Sequence, residues 1–260
     1  MISSIQNPKI QWIRRLQSRS KERRGDQVFV VEGVRLLEEA LESQWEVCLV
    51  IYSEELGERG MDVVRKFQSL NTQVEVVSSN VMQALSDTKT PQGILAVLPM
   101  HTLPLPKDND FILILDQIRE PGNLGTILRS AAAVGVQMVY LTPGTVDQYS
   151  PKVIRGGMGA HFRLPIQIAD WEEIRTLIED SNLHSYLASV NRGRVYHQAD
   201  FMLPLALIVG GEAHGAGEEA HRMADSFIHI PMPGGGESLN ASVAAGVLLF
   251  EVARQRGYDS

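Results

Sequence analysis

Three short segments of this chain combine glycines with polar side chains of the kinds that bind ligands or move protons. The first contains Asn123 and, six residues later, Arg129. The second contains Glu212 among several glycines, and the third contains Ser238 and Asn240 after three consecutive glycines. An amide, a guanidinium and a carboxylate can orient a substrate, bind an anion and hold charge, and a glycine-rich backbone lets a ligand approach closely.

Local structural explanations are available for the same residues. Asn123 could cap the helix that follows it, with Arg129 on a solvated face, and Ser238 or Asn240 could cap a last helix. Glycine-rich turns are also common where a strand leads into a helix. Spacing alone therefore leaves a structural and a chemical interpretation open.

Several better-known sites are excluded because required residues are missing. The chain has no Gly-Lys-Ser/Thr of a P-loop, and the spacing of Gly122 and Gly125 does not fit a dinucleotide fingerprint. The Gly-x-Ser-x-Gly of many serine hydrolases is also absent. With a single cysteine, Cys48, and seven scattered histidines, we expect neither a metal site nor an internal disulfide. Cys48 itself, between apolar neighbours, is predicted to be buried.

Each polar segment follows a predicted strand. Continuous apolar runs predict strands at 111–115, 205–209 and 227–230 before the three segments, with further strands at 138–141 and 185–190 and helices near 124–134, 171–180 and 239–256. Apolar strands separated by helices indicate a mostly parallel sheet covered on both faces. Ligands of such sheets bind beyond the carboxyl ends of the strands, so we expect the three segments to form one site.

The first hundred residues form a separate pattern. A helix from Asn7-Pro8 to a break at Gly25-Asp26 is followed by predicted strands at 28–31, 47–52, 74–77 and 94–98 and helices at 34–43, 60–68 and 81–85. This alternation predicts a small α/β domain. We expect domains at residues 1–99 and 111–260, joined by a proline-containing linker at 100–110.

The distribution of charge differs between the ends of the chain. The net charge is −7, which by itself argues against a nucleic-acid partner. The first 35 residues nevertheless hold eight basic and three acidic side chains, whereas the remainder holds 16 basic and 28 acidic ones. A basic N-terminal segment of this kind can bind an anionic partner. The chain has no apolar run long enough for a membrane span, so we expect no membrane partner and a cytoplasmic location.

Taken together, the three segments resemble the three motifs of the SpoU/TrmH group of SPOUT methyltransferases. They are residues 116–129 (DQIREPGNLGTILR), 208–215 (IVGGEAHG) and 230–245 (IPMPGGGESLNASVAA). Residues 150–165 (SPKVIRGGMGAHFRLP) also resemble that group, and residues 29–33 and 91–93 resemble its substrate-binding domain, which is similar to ribosomal protein L30e. The resemblance spans nearly the whole chain.

The resemblance implies a fold and an activity. The expected fold is a small L30e-like N-terminal α/β domain followed by a SPOUT α/β domain with a C-terminal trefoil knot. The expected assembly is a homodimer whose active site lies at the subunit interface. The expected enzyme is an S-adenosylmethionine-dependent RNA 2′-O-methyltransferase, which acts on a ribose of structured RNA, ribosomal RNA rather than transfer RNA.

The resemblance also implies roles for individual residues. Those expected to form the catalytic group are Asn123, Arg129, Glu212, Ser238 and Asn240. Those expected to hold the cofactor are Gly210, Ile230, Met232 and Leu239. Those expected to contact RNA are Arg14, Arg15, Arg23, Arg24 and Arg35. We expect Arg129 to bind the phosphate of the target nucleotide, while Glu212 or water takes the proton of the hydroxyl.

Three departures from the family pattern concern the shape of the cofactor pocket. Gly156-Gly157 replaces a common Ala-Ser, Ala213 replaces a glycine, and three glycines at 234–236 lengthen the flexible part of the third segment. The alternatives are a non-catalytic RNA-binding protein and a SPOUT enzyme that methylates a base of transfer RNA. A nicotinamide-dependent dehydrogenase is disfavoured by the missing fingerprint.

Overall fold

Residues 1–86, 88, 90–106, 109–212 and 215–257 are described by the structure, which is a computed structural model. Contacts between residues divide the chain into two units. The first unit comprises Met1–His101 and Asp147–Phe162, and the second comprises Thr102–Val146 and Arg163–Ser260. Sequence analysis had assigned the whole segment Asp147–Phe162 to the C-terminal domain.

The first unit is a small α/β fold whose four strands and helices α3, α4 and α5 lie where the sequence predicts them, with shifted ends, whereas α7 was not predicted. Its elements are α1 (Pro8–Ser18), α2 (Ser20–Asp26), β1 (Val28–Glu32), α3 (Val34–Glu42), β2 (Leu49–Ser53), α4 (Glu58–Ser69), β3 (Gln73–Val77), α5 (Ser79–Leu85), β4 (Ile94–Pro99) and α7 (Pro151–Gly157). Within the described residues, four strands form a sheet in the order β1-β4-β2-β3. Ile10, Ile13 and Leu16, at helical spacing on α1, are fully buried and belong to its core.

The first predicted helix breaks earlier than expected, at Arg19 rather than at Gly25-Asp26. The side chain of Arg23 binds the end of α1 at this break. Its guanidinium turns back to donate hydrogen bonds to the carbonyls of Leu16 and Gln17, which are free at the end of α1, and it forms an ion pair with Asp147. Arg23 is only 3% exposed. It therefore holds the two helices together instead of facing solvent.

The Asp147–Phe162 segment contains a buried histidine. The ring of His161 donates from Nε2 to the carbonyl of Gln148 at 2.8 Å, and its Nδ1 is buried with no hydrogen-bond partner among the described residues. A Cβ on Gly157 would lie 3.0 Å from this ring. The glycine found here in place of a larger residue therefore leaves room for the imidazole.

Acidification is expected to destabilise the first unit through His161. Burial lowers the pKa of this histidine to about 4, although the Gln148 carbonyl and Asp147 act in the opposite direction. The unfolded chain therefore takes up the proton first, and the free energy of unfolding falls as the pH drops from about 6.5 towards 4, by about 2 kcal/mol at pH 5. Urea unfolding followed by tryptophan fluorescence checks this result, in a Trp171→Phe background so that only tryptophans of the first unit report.

The control for this prediction is His161→Gln, which keeps a donor for the Gln148 carbonyl but cannot titrate. The variant should lose most of the difference in stability between neutral and acidic pH. An equal loss of stability in both proteins would show that other groups cause the acid sensitivity.

The second unit contains the predicted parallel sheet. Its elements are β5 (Phe111–Asp116), α6 (Pro121–Ala133), β6 (Met138–Leu141), β7 (Ile166–Ile168), α8 (Trp171–Asp180), β8 (His184–Ser189), β9 (Arg194–Val195), β10 (Leu205–Gly210), α9 (Glu218–Met223), β11 (Ser226–His229) and α10 (Ala241–Gln255). Within the described residues, seven strands are all parallel, in the order β7-β6-β5-β10-β8-β11-β9. The elements β7, β9 and α9 were not predicted. No helix in the described part of the chain is long and apolar enough to cross a bilayer.

The prediction that Cys48 is buried is wrong. Its side chain is exposed, while Val47 and Leu49 on either side are buried. The chain bends at Cys48, one residue before β2 begins, and the Cys48 side chain does not join those of its two neighbours in the core. Partial desolvation and the nearby Glu46 still raise the pKa of the thiol.

Candidate active site

The three polar segments meet at the carboxyl edge of the parallel sheet in the second unit. Asp116, the last residue of β5, lies beside Gly210, the last residue of β10, in the register of the two strands. The third segment follows β11, two positions away from β10 in the sheet. Because parallel strands end at one edge, the loops that follow them are brought together there.

Asn123 lies inside the first turn of α6, so the interpretation of Asn123 as the helix cap is wrong. The helix starts at Pro121, and Glu120 is its N-cap. The amide Nδ2 of Asn123 instead donates a hydrogen bond to Glu212 Oε1 at 2.7 Å. This bond joins the first segment to the second.

Glu212 is held as a carboxylate by hydrogen-bond donors. Burial by itself raises its pKa, but donation from the Asn123 amide and from backbone N–H groups outweighs that effect and lowers the pKa below the ordinary value. One of these backbone donors, Arg119 N, lies 3.4 Å from Oε2. Glu212 is therefore ionised at neutral pH and can only accept hydrogen bonds.

Asn240 has two functions. Its Oδ1 accepts from the backbone N–H groups of Ser242 and Val243, so it caps α10 as one of the local interpretations predicted. Its Nδ2 donates to Asn123 Oδ1 at 3.0 Å. A directed chain thus runs from Asn240 through Asn123 to Glu212 and links all three segments. Because each amide uses both its donor and its acceptor, the chain fixes how both amides are turned.

A cavity of about 330 Å³ opens beside this chain, within the size range of small-molecule sites. All four residues predicted to hold the cofactor line it, namely Gly210, Ile230, Met232 and Leu239, and so do Glu212, Ser238 and Asn240. Apolar side chains such as Val209, Ile228 and Leu248 form part of its wall. An apolar slot bordered by backbone groups fits a flat nucleoside, and a carboxylate at its rim fits a positively charged group.

Two glycines allow the second segment to fold back beside the cavity. A Cβ on Gly210 would lie 2.2 Å from the backbone nitrogen of Ala216, and one on Gly211 would lie 2.3 Å from the carbonyl oxygen of Gln117. No side chain is accommodated at such distances. The glycines are therefore required by close backbone approach. Ala213, a departure from the family pattern, lies outside the described residues.

Arg129 is not brought into the hydrogen-bonded chain. It lies nearly two turns after Asn123 on α6, its side chain is exposed, and it neither lines the cavity nor has a hydrogen bond or ion pair with another described residue. No cluster of His, Cys, Asp and Glu suited to a metal ion occurs among the described residues.

The arginines predicted to contact RNA, all in the first unit, differ in accessibility. Arg14, Arg24 and Arg35 are exposed, and Arg15 is half-buried and lies 3.6 Å from Glu22. Burial of Arg23 against Asp147 contradicts its predicted contact with RNA. The charge pattern could not reveal this burial, because the partner is more than a hundred residues away in the chain.

Sequence analysis treated Asp116 only as the start of a motif and missed the hydrogen bonds of its side chain. Its carboxylate is buried and accepts hydrogen bonds from Thr142 and from Gly217, at the far end of the second segment. An acidic residue that directly ends a fully apolar strand was the available signal, because a buried carboxylate needs partners.

The parallel sheet with a nucleoside-sized cavity at its carboxyl edge defines an α/β protein whose site combines a carboxylate with two linked amides. The chain belongs to the SpoU rRNA methylase family, whose model matches residues 110–250. Residues 7–96 match the MRM3-like substrate binding domain.

Relatives and solved structures agree with this membership. The chain is 33% identical over 281 residues to "rRNA methyltransferase 3A, mitochondrial" of Danio rerio. This match covers 87% of this chain and 63% of that relative. It is 30% identical to "23S rRNA (guanosine(2553)-2'-O)-methyltransferase RlmP" of Bacillus subtilis (strain 168), covering 96% of this chain and 98% of that relative. The SpoU methyltransferase AviRb from Streptomyces viridochromogenes, solved in complex with AdoMet, superposes with a TM-score of 0.88 at 27% identity and covers 97% of this chain and 100% of that one.

Proposed function

We propose that this protein transfers a methyl group from S-adenosylmethionine to a ribose 2′-hydroxyl of ribosomal RNA. The observation that carries the proposal is the chain Asn240–Asn123–Glu212, hydrogen-bonded beside a cavity that the predicted cofactor residues line. The names of the relatives, which include ribosomal RNA 2′-O-methyltransferases, support the reaction and the substrate. A bound cofactor in a structural neighbour supports the donor.

The residues of the cavity fit that cofactor. Gly210, Ile230 and Leu239 would hold the adenosyl part with their backbones, with Met232 beside it, and the carboxylate of Glu212 would favour the positive sulfonium. When bound, the cofactor supplies an electrophilic methyl group. The protein has to bring a weak nucleophile, the ribose hydroxyl, into line with that group, which is mainly a matter of positioning.

The lowered pKa of Glu212 bears on where the hydroxyl proton goes. A carboxylate stabilised by several donors is a poor proton acceptor, because protonation would break those hydrogen bonds. Of the two acceptors expected from the sequence, we therefore favour water. Glu212 then orients Asn123 and supplies negative charge, while Arg129 binds the phosphate of the target nucleotide and makes its hydroxyl easier to ionise.

The decisive experiment follows tritium from labelled S-adenosylmethionine into ribosomal and transfer RNA. Label in ribosomal RNA, at a linkage that resists alkaline hydrolysis, is the expected outcome, because a 2′-O-methyl group removes the nucleophile of that cleavage. Label on a base, or in transfer RNA alone, would favour the other SPOUT activity. Cofactor and RNA binding without any transfer would leave a non-catalytic RNA-binding protein.

We propose that the first unit binds the RNA through exposed arginines of its N-terminal segment. Replacing Arg14 and Arg24 together with glutamine should reduce the slope of log affinity against log salt by about 1.5, since each phosphate contact contributes about 0.7 to 0.9. Filter binding over a range of salt concentrations measures the slope. Arg175→Gln, an exposed arginine of the other unit, serves as control, and an unchanged slope in the double variant would remove these two arginines from the interface.

We also propose a homodimer formed through the outer face of α10. Val243 and Phe250 are 51% and 56% exposed, and their spacing of seven residues puts them on one face of α10. Leu239, just before the helix, is 40% exposed and lines the cavity. Val243→Glu with Phe250→Glu should therefore convert a dimer into a monomer in size-exclusion chromatography with light scattering, with loss of methyl transfer. Leu70→Glu, at an apolar residue of the first unit that is 65% exposed, should stay dimeric. A monomeric wild-type protein would contradict the proposal.

Three further expectations stay predictions. They are the trefoil knot, the domains at residues 1–99 and 111–260 with a linker at 100–110, and the cytoplasmic location. The chain enters α10 from β11, the last strand but one of the sheet, yet α10 packs against α6 and against β10 at the centre of the sheet. This packing supports a C-terminal segment that returns through the fold.

A further inference from the structure

Asp116 lies at the point where the glycine-rich second segment leaves the sheet. It is the last residue of β5, its side chain is 1% exposed, and it is the register partner of Gly210 on β10. Both carboxylate oxygens are used. Oδ1 accepts from the hydroxyl of Thr142 at 2.7 Å, and Oδ2 accepts from the backbone N–H of Gly217 at 2.7 Å.

These contacts place both ends of the segment on one residue. The segment departs from the sheet at Gly210, beside the backbone of Asp116, and returns at Gly217, on the carboxylate of Asp116. A bridge between Gly211 and Gly215 narrows the segment between those ends. Glu212 lies inside it, so its position depends on where the two ends are held.

The residue after Asp116 extends the same contacts to the first segment. Gln117 has a left-handed backbone, with φ of 55°, and its N–H lies 3.2 Å from the hydroxyl oxygen of Thr142. Its carbonyl oxygen lies only 2.3 Å from the place where a Cβ of Gly211 would be. The two segments are therefore in close backbone contact, and a displacement of one moves the other.

We infer that Asp116 is a positioning residue for the active site, which sets the distance between Glu212 and Asn123 by tying Gly217 and Thr142 to the end of β5. Asp116 does not line the cavity, so it acts through the second segment and not on the substrate. The inference names a residue for the reaction proposed above and rests on that proposal for its catalytic consequence. The tie itself is a property of the protein without ligands.

Two substitutions separate the tie from the charge of Asp116. Asp116→Ala removes both contacts. Asp116→Asn can keep them, since its Oδ1 can accept from Gly217 and its Nδ2 can donate to the Thr142 oxygen. Ser185→Ala is the matched control, because Ser185 is fully buried in β8 of the same sheet and binds Met223 and Asp225, away from the cavity.

The experiment measures three quantities on the full-length variants: kcat with saturating substrates, the Kd of S-adenosylmethionine by calorimetry, and amide hydrogen exchange of a peptide spanning residues 208–218. We expect Asp116→Ala to lower kcat by about tenfold to a hundredfold, as a displacement of about 1 Å does. It should also speed exchange in that peptide, whereas Asp116→Asn should stay within a few-fold of wild type in all three.

The outcomes distinguish this inference from the proposed reaction. If the wild-type protein does not methylate RNA, the proposed reaction is rejected. Faster exchange in Asp116→Ala would still support the hydrogen bonds of Asp116 as the contacts that hold the second segment. If exchange and kcat in Asp116→Ala match those of Ser185→Ala, the inference is overturned, because a general loss of stability would then explain both variants. Equal damage in Asp116→Asn and Asp116→Ala would overturn it as well, because the charge and not the pair of hydrogen bonds would matter.

Discussion

Replacing Arg129 with lysine is expected to lower kcat for methyl transfer by about a hundredfold or more, the scale of losing a well-placed charged donor in a transition state. Lysine keeps the positive charge, but it lacks the planar fork that binds two oxygens of a phosphate at once. The side chain is exposed and does not line the cavity, so the affinity for S-adenosylmethionine should be unchanged. Single-turnover kinetics with calorimetry of cofactor binding measures both.

The affinity for RNA separates the possible functions of Arg129. Arg129→Lys should bind RNA within a few-fold of wild type, because the charge is retained, while Arg129→Ala should lose both affinity and rate. Arg175→Lys, at an exposed arginine on α8, controls for a general effect of the exchange. Turnover close to normal in Arg129→Lys would discard the geometric function proposed for the guanidinium.

Much of the second unit could be predicted because its strands are apolar throughout. The apolar runs 111–115 and 205–209 are buried on both faces, and that burial requires helices above and below the sheet. Ligands of parallel sheets bind at the carboxyl edge, and the cavity lies at that edge. Short elements such as β9, with two residues, carry too little periodicity to be recognised.

The position of Asn123 could be predicted from the sequence, whereas the exposure of Cys48 could not. Glu120-Pro121 marks the start of α6, because proline favours the first helical position, and Asn123 then falls inside the helix. Val47, Cys48 and Leu49 alternate as buried, exposed and buried. The apolar character of the neighbours predicted burial, and the bend of the chain at Cys48 could not be predicted from them.

Other features depend on contacts between residues distant in the chain. The sequence around Arg23 predicts an exposed side chain. Arg23 is buried because its guanidinium contacts Asp147 and the end of α1. The bond between Asn123 and Glu212 spans 89 residues, and the bond between Asn240 and Asn123 spans 117. Family motifs predicted that these residues share a site. The order of donors and acceptors along the chain, and hence the ionised state of Glu212, required the structure.

The exchange Asn123→Asp is expected to give an enzyme whose kcat, relative to wild type, is low at alkaline pH and recovers as the pH falls. It replaces the amide that donates to Glu212 at 2.7 Å with a carboxylate, while the other oxygen can still accept from Asn240. Two carboxylates in contact cannot both ionise easily, so the apparent pKa of the pair rises above that of Glu212 in the wild type, where donors lower it. Above this raised pKa the two charges repel and the segments separate, and kcat should fall on the order of a hundredfold at about pH 8.

Lowering the pH then restores a proton, and with it the missing hydrogen bond, between residues 123 and 212. The kcat of Asn123→Asp relative to wild type should therefore rise as the pH falls from about 8 to about 6, as expected for a shared proton taken up with a raised pKa. Asn123→Ala is the matched control: it also loses the donor to Glu212 but has no carboxyl group to protonate, so its deficit should not change with pH. Parallel pH profiles for Asn123→Asp and wild type would show that the contact between Asn123 and Glu212 does not govern the rate, because the repulsion and its relief by a proton follow directly from that contact.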